Sequence, residues 1–330
     1  TQVGSSAASD VYKRQVSTVA SVAVVIGPTA AGKTAVAMAL QDQLGGPSKA
    51  QLISADSALV YRGMDIGTGK PDAQELIAYP HRLIDIRDPS EPYSVADFVG
   101  DADAAVVEAL ARQQTPIIVG GTMLYVQRFI DGIAELPSAD PNIRLELQGQ
   151  LGRLGADAMH AELSTLDPAA AAKIHPNNHQ RLLRAMEVIR TTGQPMSAQW
   201  QAAKGAVATS RLPINLVTAA VVPSQREVLH QRIQERFEAM LQAGFLCEVE
   251  GLMRRDDLHP DLPALRSVGY RQAWQFLRGD YSHADFVAAA LAATRQLAKR
   301  QLTWLRGWSK IDLQSAAAPE QIAAQLQRML

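Results

Sequence analysis

The chain holds 330 residues, 47% hydrophobic and 20% charged, a composition that excludes a largely disordered protein and suits two domains or one with an insertion. Its single cysteine, Cys247, excludes an intramolecular disulfide framework and any multi-cysteine zinc site, and suits a reducing, cytoplasmic setting. With 32 Lys+Arg against 33 Asp+Glu the formal net charge is −1, which at face value argues against a nucleic-acid partner.

Residues 1–15 are small and polar with no apolar period, and read as a disordered or non-native leader. Lys13 and Arg14, followed by the Val/Ala-rich run from Val16 to Ile26, have the look of a short signal peptide. That run leads straight into Gly27-Pro28-Thr29-Ala30-Ala31-Gly32-Lys33-Thr34, where cleavage would sever a loop from the strand that positions it, so export is not expected. No apolar stretch approaches the roughly 20 residues that span a bilayer. Val19–Ile26 is continuously apolar, as a strand buried on both faces requires. A helix is predicted from about Gly32 to Leu44, stopped by Gly45-Gly46-Pro47.

Gln51–Ser54 and Arg82–Ile86 are short strand candidates. Ser94 with Asp97 forms a variant capping box that opens a helix running to about Gln113. Pro116–Val119 predicts a further strand, ending in Gly120-Gly121-Thr122. The pattern changes around Pro137–Pro141: from there to about Leu212 only helical segments and loops such as His175-Pro176-Asn177-Asn178 are read. Strand character returns at Ile214–Val222, and helices dominate to the end. The fold expected is α/β, a P-loop NTPase-like parallel sheet flanked by helices. Its core would be 16–139 and 211–330, interrupted by a helical insertion domain at 140–210.

Gly27-x-x-x-x-Gly32-Lys33-Thr34 matches the phosphate-loop pattern, with a strand before it and a helix after it. Glycines let the backbone wrap with its N–H groups inward, and the helix start adds its positive dipole end. Lys33 supplies a mobile cation, and the Thr34 hydroxyl can ligate Mg²⁺. ATP is the default ligand of such a loop. Yet Ile117-Ile118-Val119 ends in glycine rather than the carboxylate that helps hold Mg²⁺ in many NTPases, a place that Asp85 could fill instead. Asp56, just past the second strand, can be a general base, an outer partner of Mg²⁺, or the N-cap of the next helix.

The run from Asp56 to Pro71, Asp-Ser-Ala-Leu-Val-Tyr-Arg-Gly-Met-Asp-Ile-Gly-Thr-Gly-Lys-Pro, resembles the signature of the tRNA dimethylallyltransferases. Further blocks of that family appear in order: Gly27–Thr34, Gly120–Tyr125, Gln180–Arg184, Arg266–Arg271 and Lys299–Arg306. The resemblance spans about residues 19–313 and is closest to the bacterial form without a zinc finger. It implies transfer of a dimethylallyl group from dimethylallyl diphosphate to N6 of adenosine 37, in tRNAs reading codons that start with U. A P-loop small-molecule or nucleotide kinase using ATP is the alternative.

Under this resemblance the loop Gly27, Pro28, Thr29, Ala30, Ala31, Gly32, Lys33 and Thr34 holds the diphosphate, with Mg²⁺ at Thr34, and stabilises charge as the leaving group departs. Asp56 is then the general base and Thr122 contacts the reacting centre. Arg226 is either a further diphosphate ligand or a solvated arginine at a helix start. The family positions that contact tRNA fall on Asp56, Ser57, Ala58, Leu59, Thr122, Arg144, Gln180, Arg181, Leu182, Leu183 and Arg184. Further along they fall on Arg266, Ser267, Val268, Gly269, Tyr270, Arg271, Lys299, Arg300 and Arg306. The partners implied are the tRNA anticodon stem-loop and dimethylallyl diphosphate, with no membrane and a monomeric enzyme.

On the last long helix, Leu291, Ala298, Leu302 and Leu305 make an apolar stripe edged by Arg295, Lys299 and Arg306. Trp304 and Trp308 read as packing residues, and the seven histidines show no metal spacing. The neutral total also hides a segregation. Residues 173–211 carry a net +5 and residues 262–310 a net +6, leaving −12 for the remainder.

Overall fold

The computed structural model describes residues 19–133, 136–137, 140–202 and 207–330; the expected leader at 1–15 lies outside them. The chain divides into two compact units, one running up to Gln127 and resuming over Leu212–Leu330, the other Arg128–Arg211.

The first unit is built on β1 (Ala20–Ile26), β2 (Ala50–Ser54), β3 (His81–Arg82), β4 (Thr115–Gly120), β5 (Ile214–Val221) and β6 (Leu313–Ser315). They form one sheet in the order β3-β2-β4-β1-β5-β6, and every pairing is parallel. Parallel strands need crossovers that cover both faces, which is why the inner strands are mostly apolar. Helix α1 (Lys33–Gln43) packs Val36, Ala37 and Leu40 with Ala23, Val25, Leu52, Ile117 and Val217 on one face. The short α2 (Ala73–Ala78), capped by Asp72, leads into β3. Helix α3 (Val95–Ala111) buries Phe98, Val99, Ala102 and Val106 and lies against β2 and β4. Its start is the Ser94/Asp97 capping box.

Two elements depart from the sequence expectation. The strand expected at Arg82–Ile86 reduces to His81–Arg82, because Leu83 (φ 64°) and Asp85 (φ 57°) adopt left-handed backbone that no strand admits. The three-residue β6 has too short an alternation to announce itself; β5 supplies its register through Ala219–Val221.

The remaining helices sort by unit. Helix α4 (Met123–Asp131) carries the chain out of the sheet. The second unit contains α5 (Pro141–Leu154), α6 (Ala156–Leu166), α7 (Pro168–Ala171), α8 (His179–Thr192), α9 (Met196–Ala202) and α10 (Ala208–Arg211). It has its own core of Leu147, Met159, Leu163, Ile174, Leu182, Leu183, Met186 and Val188. This unit begins before residue 140, at Arg128, because its two ends are tied together. Arg211 donates to the Phe129 carbonyl at 3.0 Å and lies over the Phe129 ring. The first unit resumes with β5, then α11 (Arg226–Gln242), α12 (Phe245–Met253), α13 (Tyr270–Leu277), α14 (His283–Arg306), β6 and α15 (Pro319–Met329). Helix α15 buries Ile322, Ala323 and Leu326 against α1 and the sheet. Among the described residues no helix is long and apolar enough to cross a membrane.

Candidate functional site

The parallel register brings the ends of four strands to one edge: Ile26 lies beside Gly120 and Ala220, and Ser54 beside Val119. That carboxyl edge of an open α/β sheet is where ligands bind. Here it opens into a cleft of about 810 Å³ within the first unit. Gly120 is required at its floor, since a Cβ there would meet the Ala55 carbonyl oxygen at 2.1 Å.

The loop after β1 turns at Gly32, whose φ of 91° admits glycine readily and a side chain only with strain. Within it the Ala31 N–H donates to the Pro28 carbonyl (3.2 Å), as does the Lys33 Nζ (2.7 Å). The first amides of α1 have no partner within the helix, which makes this end an anion seat. Burial lowers the Lys33 pKa to about 8; the Asp56 charge opposes that fall and Arg236 adds to it. Thr29, Ala30, Lys33 and Thr34 all line the cleft.

Asp56, Ser57, Ala58 and Leu59 line it from the end of β2, and Gly121 and Thr122 from the end of β4. Asp56 Oδ1 accepts the Ala58 N–H at 2.8 Å, so the carboxylate caps the turn that follows while also facing the cleft. Thr122 Oγ1 accepts the Ser57 N–H at 2.9 Å and donates to Ser57 Oγ at 3.2 Å, joining the two loops.

A second cation comes from α11, and it is Arg236 rather than Arg226. Arg226 is exposed at the helix start, where its Nε donates to His230 Nε2, and it does not line the cleft. Ten residues of helix put the two arginines about 15 Å apart along the axis and about 80° apart around it. Arg236 donates to the Thr68 carbonyl at 2.7 Å, and burial lowers its pKa against the opposing field of Asp56. The face of Leu229, Ile233 and Phe237 is the signal that singles out this helix; its axial reach is not legible without the sheet. Asp85 also fails as a cleft carboxylate: it pairs with Lys70 and lies outside the lining.

The α12–α14 region closes the cleft. Arg266, Ser267, Val268, Gly269 and Tyr270 line it, but Gly269 and Tyr270 are buried. The Tyr270 hydroxyl donates to Glu248, whose charge, after burial, pushes the phenol pKa upward. Tyr270 therefore packs the wall, edge-on to Phe245, instead of presenting a contact to RNA. Glu248 itself accepts the N–H groups of Asp65, Ile66 and Gly67 and so holds the loop that carries Thr68. Sequence reasoning passed over Glu248, and over Gln301, which reaches from α14 to Thr29 and Gly121. Arg300 and Trp304 line the cleft, with Trp304 angled against Trp308 at 4.7 Å; Arg271, Lys299 and Arg306 are exposed outside it.

The second unit holds the other expected RNA contacts. Gln180 and Arg181 are exposed on α8. Leu182 and Leu183 belong to the unit's core, so their side chains offer no surface to a nucleic acid. Arg144 and Arg184 both bind the fully buried Glu187, at 2.9 Å each, and are fold contacts first.

An anion-seating loop at the end of the central strand of a parallel sheet, with a carboxylate and a second cation across the cleft, defines a P-loop α/β protein that handles a phosphate ester. Residues 59–308 match the family model described as IPP transferase, and the chain belongs to that family. A tRNA dimethylallyltransferase of Chromohalobacter salexigens is 53% identical over 302 residues, 91% of this chain and 94% of that protein. The crystal structure of a full-length tRNA isopentenylpyrophosphate transferase from Bacillus halodurans is 35% identical, with a TM-score of 0.66 over 94% of this chain and 95% of its own. A eukaryotic dimethylallyltransferase captured acting on tRNA is 25% identical, with a TM-score of 0.76 over 94% of this chain and 77% of its own.

Proposed function

We propose that the protein transfers the dimethylallyl group of dimethylallyl diphosphate to N6 of adenosine 37, in tRNAs reading codons that start with U, and releases diphosphate. The observation that carries the reading is the single cleft in which the phosphate loop and Arg236 face Asp56. As the allylic C–O bond breaks, its electron pair passes to the bridging diphosphate oxygen. The charge grows where the α1 amides, Lys33 and Arg236 converge. The N6 lone pair, weakened by delocalisation into the ring, forms the new C–N bond, and Asp56 takes the N6 proton. Thr122, fixed against Ser57, steadies the incoming base. The base reaches the cleft only after extrusion from the anticodon loop.

The donors available for Mg²⁺ are the Thr34 hydroxyl and the Asp56 carboxylate, both oxygens lining the cleft. Among the described residues no group of three or more His, Cys, Asp or Glu could hold a metal. That set fits a hard cation carried mostly by substrate phosphate and water. Thr34 would hold it, and it would neutralise the departing diphosphate. The enzyme acts as a cytoplasmic monomer on this reading.

The kinase alternative lacks a Mg²⁺ carboxylate at the end of β4, where Gly120 and Gly121 stand, and Asp85 does not replace it. Mass analysis of tRNA nucleosides after incubation with dimethylallyl diphosphate tests the proposal. Dimethylallyl adenosine is expected with the wild type and absent with Asp56→Ala, while that variant retains tRNA binding. Tight ATP·Mg²⁺ binding without affinity for the allylic diphosphate would overturn the proposal in favour of the kinase.

A further inference from the structure

One buried polar side chain of the cleft wall has no place in the chemistry above. Gln301 lies on α14 at 9% exposure. Its Oε1 accepts the Thr29 N–H at 2.9 Å, and its Nε2 donates to the Gly121 carbonyl at 2.8 Å. Thr29 belongs to the loop that seats the diphosphate; Gly121 immediately precedes Thr122. One amide therefore spans the two loops between which the transferred carbon must move. An amide suits this bridge, since it accepts at one end and donates at the other. The same helix also touches the phosphate loop through packing, where Ala30 meets the cluster of Leu229, Ile233 and Ala298.

We propose that Gln301 is a positioning residue for prenyl transfer. It fixes the spacing between the diphosphate loop at Thr29 and the acceptor turn at Gly121–Thr122, without itself touching the reacting atoms. The anion-binding amides of α1 begin beyond Thr29, so losing the strap leaves the seat intact and disturbs its distance from the acceptor. A misplacement of about 1 Å in such an alignment costs on the order of 100-fold in rate. The inference rests on the prenyl-transfer reading.

The test is Gln301→Met, which keeps length and volume but removes both hydrogen bonds, with Gln301→Glu as second variant. Three quantities are measured on the full chain. They are the single-turnover rate at saturating tRNA and dimethylallyl diphosphate, the stoichiometry and Kd of the allylic diphosphate by isothermal titration, and the Kd of tRNA. The expected result for Gln301→Met is a fall of about 10- to 100-fold in the single-turnover rate, with both Kd values within about threefold of wild type. Gln301→Glu turns a carboxylate oxygen toward the Gly121 carbonyl and is expected to fall at least as far. A misfolded variant would show as lowered stoichiometry at unchanged Kd, and rates are therefore scaled to the binding-competent fraction. A scaled rate within about twofold of wild type, or a loss lying wholly in the Kd of either substrate, overturns the proposal. Absence of transfer by the wild type would overturn the functional reading instead.

Discussion

Lys33 should make the affinity for an allylic diphosphate depend on pH, in a direction the cleft dictates. Burial brings its pKa down to about 8 from the ordinary lysine value of 10.5, with Asp56 pulling it up and Arg236 pushing it down. A bound diphosphate adds negative charge beside the ammonium and raises that pKa again. Above about 8, binding must therefore take up a proton, and affinity weakens as pH rises. A group with a pKa of about 8 is about three-quarters charged at pH 7.5 and about one-tenth charged at pH 9, so Kd should rise by about eightfold between them. Isothermal titration of a non-hydrolysable allylic diphosphate, run without tRNA in buffers of different ionisation enthalpy, reads both the shift and the proton. Asp56→Asn removes the opposing field and should move the break to lower pH, while Lys33→Arg should abolish it. A Kd constant from pH 7.5 to 9 with a buffer-independent enthalpy would refute the reasoning.

Three further outcomes follow from contacts outside the phosphate loop. Arg236→Ala should raise the KM for dimethylallyl diphosphate by about tenfold or more through loss of a charge-assisted contact, whereas Arg226→Ala should leave it within about twofold; steady-state kinetics on both variants separates them. Glu248→Gln puts an amide NH₂ against the N–H groups of the Asp65–Gly67 turn. It should lower stability by about 2 kcal/mol in urea unfolding and raise the KM for the allylic diphosphate, because that turn carries the Thr68 partner of Arg236. Glu187→Gln weakens a fully buried pairing to Arg144 and Arg184. It should destabilise the helical unit by about 3 kcal/mol and weaken tRNA binding measured by anisotropy, with diphosphate binding unchanged.

What could be read from the residues was whatever local chemistry writes locally. The phosphate loop, the continuous apolar strands and the Ser94/Asp97 cap each depend on neighbours a few residues away, and each stands where the sequence places it. Asp56 and Thr122 meet in one cleft because β2 and β4 are paired, which the motifs imply without stating. Arg236 is different: its role depends on how far along α11 the cleft reaches, a tertiary quantity. Glu248 and Gln301 are different again, since each connects segments that are distant in sequence through bonds to backbone groups. A backbone partner leaves no residue-type pattern to search for. The failed strand at Arg82–Ile86 has the opposite cause: Leu83, Ile84 and Ile86 look like strand residues, but Leu83 and Asp85 take left-handed backbone where Asp85 is anchored to the distant Lys70.

The two basic segments behind the net charge of −1 are not equivalent once their contacts are known. In the helical unit, Lys173 sits over the Trp200 ring, Arg184 binds Glu187, and Arg190 faces Glu146. Most of the described cations of that segment are thus engaged in holding the unit's own helices, whereas the exposed Arg181 forms no ion pair among the described residues. Around the cleft the pattern reverses: Arg266, Arg271, Lys299, Arg300 and Arg306 are exposed and form no ion pair among the described residues. A cation already paired in the fold releases few counterions from RNA when the two meet, while an exposed one neutralises a phosphate directly. On the proposed function, long-range attraction of tRNA should therefore fall chiefly to the 262–310 segment, and the same helix that supplies Lys299 and Arg300 also supplies Gln301 to the phosphate loop. The exposed cations expected to meet RNA and the proposed Gln301 strap are thus consecutive residues of one helix.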